Sequence, residues 1–297
     1  MATTPDRILI ATDFSPTAEW AQSLALALGR AFGAQVHLLH VRVLLEDPHL
    51  EREEGTELER LLEADEVQRR AALDRVGGDA VEPAIHRHMV RGISAAEAII
   101  ESAVDLGCDL VLMGTHGRRG LRKLLVGSVA ERVVRTSSVP VLVVRSHVPS
   151  PPETIRRILV PFDFSPHSEV AAQTAARWAE ALGAGVSLLH VVEPVVYPEF
   201  YAVDVLPGQV TDGLQQRSVE ALAEAADRLV SGVDCTTTVR VGRAVDVILS
   251  AADAQEHDLV VMGTRGLSGL EHLLLGSVAE RVLRRSDVPV LTVHSEE

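Results

Sequence analysis

Positive charge is what this chain most clearly lacks. Its 28 lysines and arginines face 42 aspartates and glutamates, giving a formal net charge of −14 at pH 7. Nucleic-acid backbones and anionic membrane surfaces select for the opposite balance, so neither is an expected partner. Cysteine is nearly absent. Cys108 and Cys235 are the only two, far apart and at non-equivalent positions, which excludes a disulfide framework and a CxxC metal or redox site. No apolar run approaches the roughly 18 residues of a membrane span, and the N-terminus carries no basic, apolar, small-residue signal pattern. A reducing cytoplasm is the expected setting. A P-loop Gly-Lys-Ser/Thr is missing too, as are an evident catalytic base and a nucleophile with a partner.

What the chain does have is repetition. Its 297 residues, 46% hydrophobic and 24% charged, suffice for two domains of roughly 150 residues. Arg7-Ile-Leu-Ile-Ala-Thr-Asp13-Phe-Ser-Pro16 returns as Arg157-Ile-Leu-Val-Pro-Phe-Asp163-Phe-Ser-Pro166, and Leu38-Leu-His40-Val41 returns as Leu188-Leu-His190-Val191. The offset is 150 as far as Gly92 and Gly242 and 149 from there on, as Val139-Pro140 and Val288-Pro289 show. Ordered matches along the whole length mean two copies of one domain. The expected limits are 1–147 and 155–297, joined by a proline-rich spacer at 148–154.

Each copy alternates strand and helix. Ile8 to Thr12 is a short β-rich run, and Ser15 with Pro16 reads as the cap and first residue of a helix carrying Ala18, Ala21, Ala25 and Leu28 on one face. Ala171, Ala175, Trp178 and Leu182 form the matching face in the second copy. Further strands are expected at Val36 to Val41, Ala84 to Val90, Leu110 to Met113 and Val141 to Val144, with counterparts in the second half. Such alternation predicts a parallel sheet covered on both faces. The copies differ after the second strand. The first has an acidic, helix-like segment from Leu44 to Val76. The second has Glu193 to Tyr201, a loop expected over a pocket mouth, before a helix at about 213–230. The apolar last strands would be exposed edges unless they paired with each other, so the domains are expected to dock through them.

The feature around which both copies are built is Gly114-Thr-His-Gly117, nine residues, then Gly127-Ser128, repeated as Gly263-Thr-Arg-Gly266, nine residues, then Gly276-Ser277. Each follows a buried-strand pattern and precedes a helix, and glycines there let backbone N–H groups converge on an anion. Ser128-Val-Ala-Glu131 and Ser277-Val-Ala-Glu280 also fit a capping box, which gives each serine a structural role to set beside a phosphate contact. Asp13 can be a turn residue, and His40 and His190 read as packed, hydrogen-bonded histidines.

On these motifs the chain resembles the universal stress protein family in its tandem form. The resemblance covers nearly all of the sequence, and both copies match the family's ATP-binding pattern of Gly, two residues, Gly, nine residues, Gly, then Ser or Thr. It implies an α/β fold of two Rossmann-like domains of the adenine nucleotide alpha hydrolase-like type, each a five-stranded parallel sheet of order 3-2-1-4-5 with helices on both faces. It also implies an ATP site in each copy. In the first, Gly114, Gly117, Gly127 and Ser128 would hold the phosphates, Asp13 would sit near ribose and adenine, and the Val41 backbone would read the adenine edge, with Ala11, Thr12, Met113, His116, Arg118 and Val129 also among the nucleotide-binding residues. In the second, the corresponding residues are Pro161, Phe162, Asp163, Val191 and Met262, then Gly263, Arg265, Gly266, Gly276, Ser277 and Val278. Mg²⁺ would come with the phosphates, since no carboxylate cage is evident. The first loop carries Arg118, Arg119, Arg122 and Lys123 where the second has Leu267, Ser268, Glu271 and His272, so tighter ATP binding is expected in the first copy. An ATP-dependent stress-response or signalling module is the implied function. A slow ATPase or phosphotransfer enzyme, and a scaffold with vestigial pockets, stay open as alternatives, as do a homodimer and an unidentified protein partner.

Overall fold

The computed structural model describes residues 4–43, 71, 83–115, 127–145, 154–194, 207–253, 256–264 and 275–294. The first half runs β1 (Arg7–Ala11), α1 (Pro16–Phe32), β2 (Gln35–Val43), β3 (Ile85–Gly92), α2 (Ala95–Asp105), β4 (Leu110–Gly114), α3 (Ser128–Thr136) and β5 (Val141–Val144). The second half repeats the order as β6 (Arg157–Pro161), α4 (Pro166–Leu182), β7 (Gly185–Val192), α5 (Pro207–Leu229), β8 (Cys235–Val241), α6 (Ala244–Ala251), β9 (Leu259–Gly263), α7 (Ser277–Arg285) and β10 (Val290–Val293). The acidic segment from Leu44 to Val76, apart from Ala71, lies outside the described residues, as do the loop at Tyr197 to Tyr201 and the joint 146–153.

The local causes are the expected ones. Ser15 Oγ accepts the Ala18 N–H at 3.3 Å, Pro16 fills the first helical position, and α1 stops at Gly33 in the left-handed region. Ser165, Pro166 and Gly183 do the same for α4. Helix α5 begins earlier than its apolar pattern indicates, at Pro207 instead of about 213. Proline is well suited to a first turn because no intrahelical partner awaits its missing N–H.

The strands join in one sheet of order β3-β2-β1-β4-β5-β10-β9-β6-β7-β8. Within each half the pairings are parallel and the order is 3-2-1-4-5. Helices α1, α4 and α5 cover one face, with Leu24, Leu28, Trp178 and Leu222 buried against Ile8, Leu142 and Leu291. Helices α2, α3, α6 and α7 cover the other, around Leu9, Val111, Val260 and Val290.

The expected edge pairing is present. Strands β5 and β10 run antiparallel with Leu142 opposite Leu291, and the Thr292 hydroxyl donates to the Val141 carbonyl at 3.1 Å. Phe32 of α1 meets Trp178 of α4 edge-on at 5.2 Å, and Arg284 of α7 reaches Glu131 of α3 at 3.3 Å. Among the described residues no helix is long and apolar enough to cross a membrane.

Candidate functional site

In an open parallel sheet the strand order reverses between its two halves, and at that point loops from neighbouring strands part and leave a crevice. Here the reversal lies between β1 and β4. Ala11 is in register with Leu39 of β2 and with Met113 of β4, so Thr12 and Asp13, His40 and Val41 of β2, which runs on to Val43 past the end expected at Val41, and Gly114 come together toward one end of the sheet. In the second half Pro161 lies opposite Leu189. The β6–β9 register ends at Leu159 opposite Val260, whereas β1–β4 continues through Ala11, which unlike Pro161 has an N–H to donate.

The turn after the first strand is rigidly built. Asp13 Oδ1 accepts the Ser15 N–H at 3.1 Å, and Asp163 Oδ1 accepts that of Ser165 at 3.0 Å. Each carboxylate therefore shapes its own turn in addition to any ligand role. Phe14 and Phe164 adopt positive φ, 60° and 63°, a conformation uncommon for non-glycine residues and often met at functional sites. Their rings lie on His40 and His190, with centroids 4.7 and 4.8 Å apart. Both histidines are packed as expected. His40 Nδ1–H donates to the Thr12 carbonyl and His190 Nδ1–H to that of Phe162, each at 2.8 Å. A carbonyl can only accept, which assigns the proton to Nδ1.

The glycine motif is required by close packing even before any ligand is considered. A Cβ on Gly114 would stand 2.8 Å from Thr17 Cγ2, and one on Gly263 2.7 Å from His167 Cβ. These glycines let the first turns of α1 and α4 settle on the ends of β4 and β9. Gly127 closes the loop: its N–H donates to the Thr115 carbonyl at 2.7 Å, and a Cβ there would come within 2.5 Å of that oxygen. The Gly276 N–H reaches the Thr264 carbonyl at 2.8 Å in the same way. The intervening loops, with His116, Gly117, Arg118, Arg265 and Gly266 and the further basic residues of the first copy, lie outside the described residues.

The capping-box expectation is corrected. Gly127 and Gly276 are the N-caps, Ser128 and Ser277 are exposed first helical residues, and no side chain caps either helix. Pinning of Gly127 to Thr115 makes its carbonyl the first helical acceptor, for the Glu131 N–H at 3.0 Å. Glu131 thereby lies one position too far along for a box. Its carboxylate takes Arg135 at 2.9 Å and Arg284 at 3.3 Å, and Glu280 takes Arg284 at 2.7 Å. Both helices thus present N-termini without side-chain caps to the crevice, a natural seat for an anion.

Three features escaped sequence reasoning. The left-handed phenylalanines were signalled only by the recurrence of Asp-Phe-Ser-Pro. Glu193, at the end of β7, accepts the Ala244 N–H at 2.8 Å and ties that strand end to the start of α6. Thr264 Oγ1 lies 3.2 Å from His294 Nδ1 beside Gly263, where the first copy has Thr115 and Arg145.

Comparison with known proteins points one way. The model of the universal stress protein family matches residues 5–145 and again 154–294. A universal stress protein of Mycobacterium tuberculosis is 35% identical over 193 residues, a match that spans 62% of this chain and only 61% of that protein. One from Mycolicibacterium smegmatis is 27% identical over 298 residues, 96% of each chain. The crystal structure of a universal stress protein from Archaeoglobus fulgidus shares the fold, with a TM-score of 0.66 at 21% identity, over 97% of this chain and 98% of that one.

Proposed function

This chain belongs to the universal stress protein family, with two of its domains in tandem, and from that premise we propose that each domain binds one ATP and that nucleotide state biases conformation or partner choice in stress signalling. The observation that carries the proposal is the repeated crevice: three strand ends, a glycine-tight loop closure and a helix N-terminus without a side-chain cap, built the same way twice. Asp13 and Asp163 would meet ribose and adenine. The backbone at Val41 and Val191 offers hydrogen-bonding groups to the base, and the starts of α3 and α7 offer N–H groups to phosphate. Among the described residues no group of three His, Cys, Asp or Glu is placed to hold a metal, so Mg²⁺ would be held chiefly by the phosphates, whose charge it would screen. The four basic residues of the first loop favour the first site. The domain limits proposed with this function are 1–147 and 155–297, with protease cleavage expected between them in 148–154.

Slow phosphotransfer is a second possibility with one observation behind it, the Thr264–His294 pair beside Gly263. Incubation with γ-labelled ATP would label the protein, and Thr264→Val would abolish the label. A protein that stays unlabelled removes this alternative.

ATP titration by calorimetry tests the main proposal. The intact protein should bind two ATP per chain. Ser128→Glu and Ser277→Glu should each remove one, because an exposed first-turn carboxylate repels phosphate without disturbing the fold. Substituting Gly127 would confuse the two effects, given the 2.5 Å approach to Thr115. Failure of the intact protein to bind ATP would leave a scaffold with vestigial pockets.

A further inference from the structure

The turns after β1 and β6 share a left-handed phenylalanine and a capping serine, yet they are supported by different chemistry. In the first half the support is polar. Gln22 of α1, 7% exposed, donates through Nε2 to Thr12 Oγ1 at 2.7 Å, and the same hydroxyl oxygen accepts the Phe14 N–H at 3.1 Å. Both lone pairs of that oxygen are thereby taken. The Thr12 N–H donates to the Leu39 carbonyl and the Thr12 carbonyl accepts from His40 Nδ1, each at 2.8 Å. Asp13 is thus flanked by Thr12 and Phe14, two residues clamped by one network that ends on Gln22.

In the second half the counterparts of Thr12 and Gln22 are Phe162 and Ala172. Both are buried in the core that α4 covers, and the Phe162 ring meets Phe164 edge-on at 5.2 Å. A bulky ring at the strand end therefore goes with a small residue on the helix, and a small hydroxyl with a long amide. Each pairing keeps the packed volume similar, and the polar one gives the buried amide and hydroxyl their partners.

We propose that Gln22 is a positioning residue of the first nucleotide site: acting through Thr12, it fixes the Phe14 turn that sets Asp13 against the ribose, a task performed in the second half by Phe162 together with Ala172. The role rests on the ATP-binding proposal above and concerns the nucleoside end of the ligand, not its phosphates. A non-glycine residue stays in the left-handed region only where its surroundings over-determine it. Removing the Gln22 donor therefore loosens the turn that carries Asp13.

The test uses the full chain in a Ser277→Glu background, which leaves the first site to be read alone. The probes are ATP and 2′,3′-dideoxy-ATP, which lacks the ribose hydroxyls that a carboxylate can accept from. Gln22→Leu keeps the volume and removes the donor. It should weaken ATP binding roughly fivefold, within the range for one lost hydrogen bond, and leave binding of the dideoxy nucleotide unchanged. Thr12→Phe combined with Gln22→Ala imports the second half's pair and should restore the preference for ATP. Reciprocally, in a Ser128→Glu background, Phe162→Thr should cost the second site its preference for ATP, and adding Ala172→Gln should return it. Should Gln22→Leu not fold, these two exchanges decide alone. Equal weakening of both nucleotides by Gln22→Leu, no weakening of either, or no recovery in the paired exchanges overturns the role of Gln22 while leaving ATP binding by the parent intact. Absence of ATP binding by the parent overturns the nucleotide proposal and this inference with it.

Discussion

Near the start of β2, His37 is turned into the protein with 8% of its surface exposed, beside His86 and His88 of β3. Its Nδ1 lies 3.1 Å from His88 Nε2, so one ring donates to the other. Burial foremost, then the neighbouring His86, His88 and Arg7, lowers its pKa from 6.5 to about 4. The sign follows from proton counting. An unfolded chain takes up the proton as pH falls through 6.5 while the folded protein resists until about 4, so this group's stabilising contribution is complete above 6.5 and lost between the two. The urea midpoint should fall across that window, and His37→Leu should flatten the fall; an unchanged slope would refute the assignment. None of this was visible in sequence, because His37, His86 and His88 become neighbours only through the β2–β3 register.

At the scale of elements, the starts of α3 and α7 decide what the glycine motif is for. Gly127 sits with its N–H on Thr115 and Ser128 points outward, which predicts opposite sensitivities for adjacent residues. Gly127→Ala should cost about 1–3 kcal/mol by overpacking. Ser128→Ala should stay within about 0.5 kcal/mol, where a lost cap would cost about 1 kcal/mol. Chemical denaturation of the two variants distinguishes the arrangements. Local rules did place the starts of α1 and α4, since Ser15 and Ser165 cap through contacts three residues away. They misplaced the cap of α3 because the bond that sets it spans the whole glycine loop.

For the whole molecule, the decisive feature is that two homologous halves share one sheet. Leu142 and Leu291 are fully buried at the junction, and both faces' cores continue across it. Leu142→Ala should therefore destabilise the protein by about 2–5 kcal/mol and lower one common transition monitored by calorimetry; a loss confined to one of two separate transitions would mean that the halves unfold independently. Because β5 and β10 consume each other's edges within one chain, a homodimer would have to form through some other surface.

What the sequence determined by itself is everything set by short range and by repetition: two copies of one α/β domain, the strand–helix alternation, the helix caps built on neighbours, and a glycine spacing shared with a known family. Pairing of the last strands was also foreseeable, because an apolar edge left in water is costly whatever surrounds it. Long-range packing alone settles which glycines are held in place, which residue caps α3, how the left-handed phenylalanines lie on a buried His40 and a half-buried His190, and that His167 stands where the first copy has Thr17. Those outcomes depend on contacts between residues distant in the chain, such as Gly127 with Thr115 and Gly263 with His167, and no local pattern encodes a distance that only the closed sheet creates.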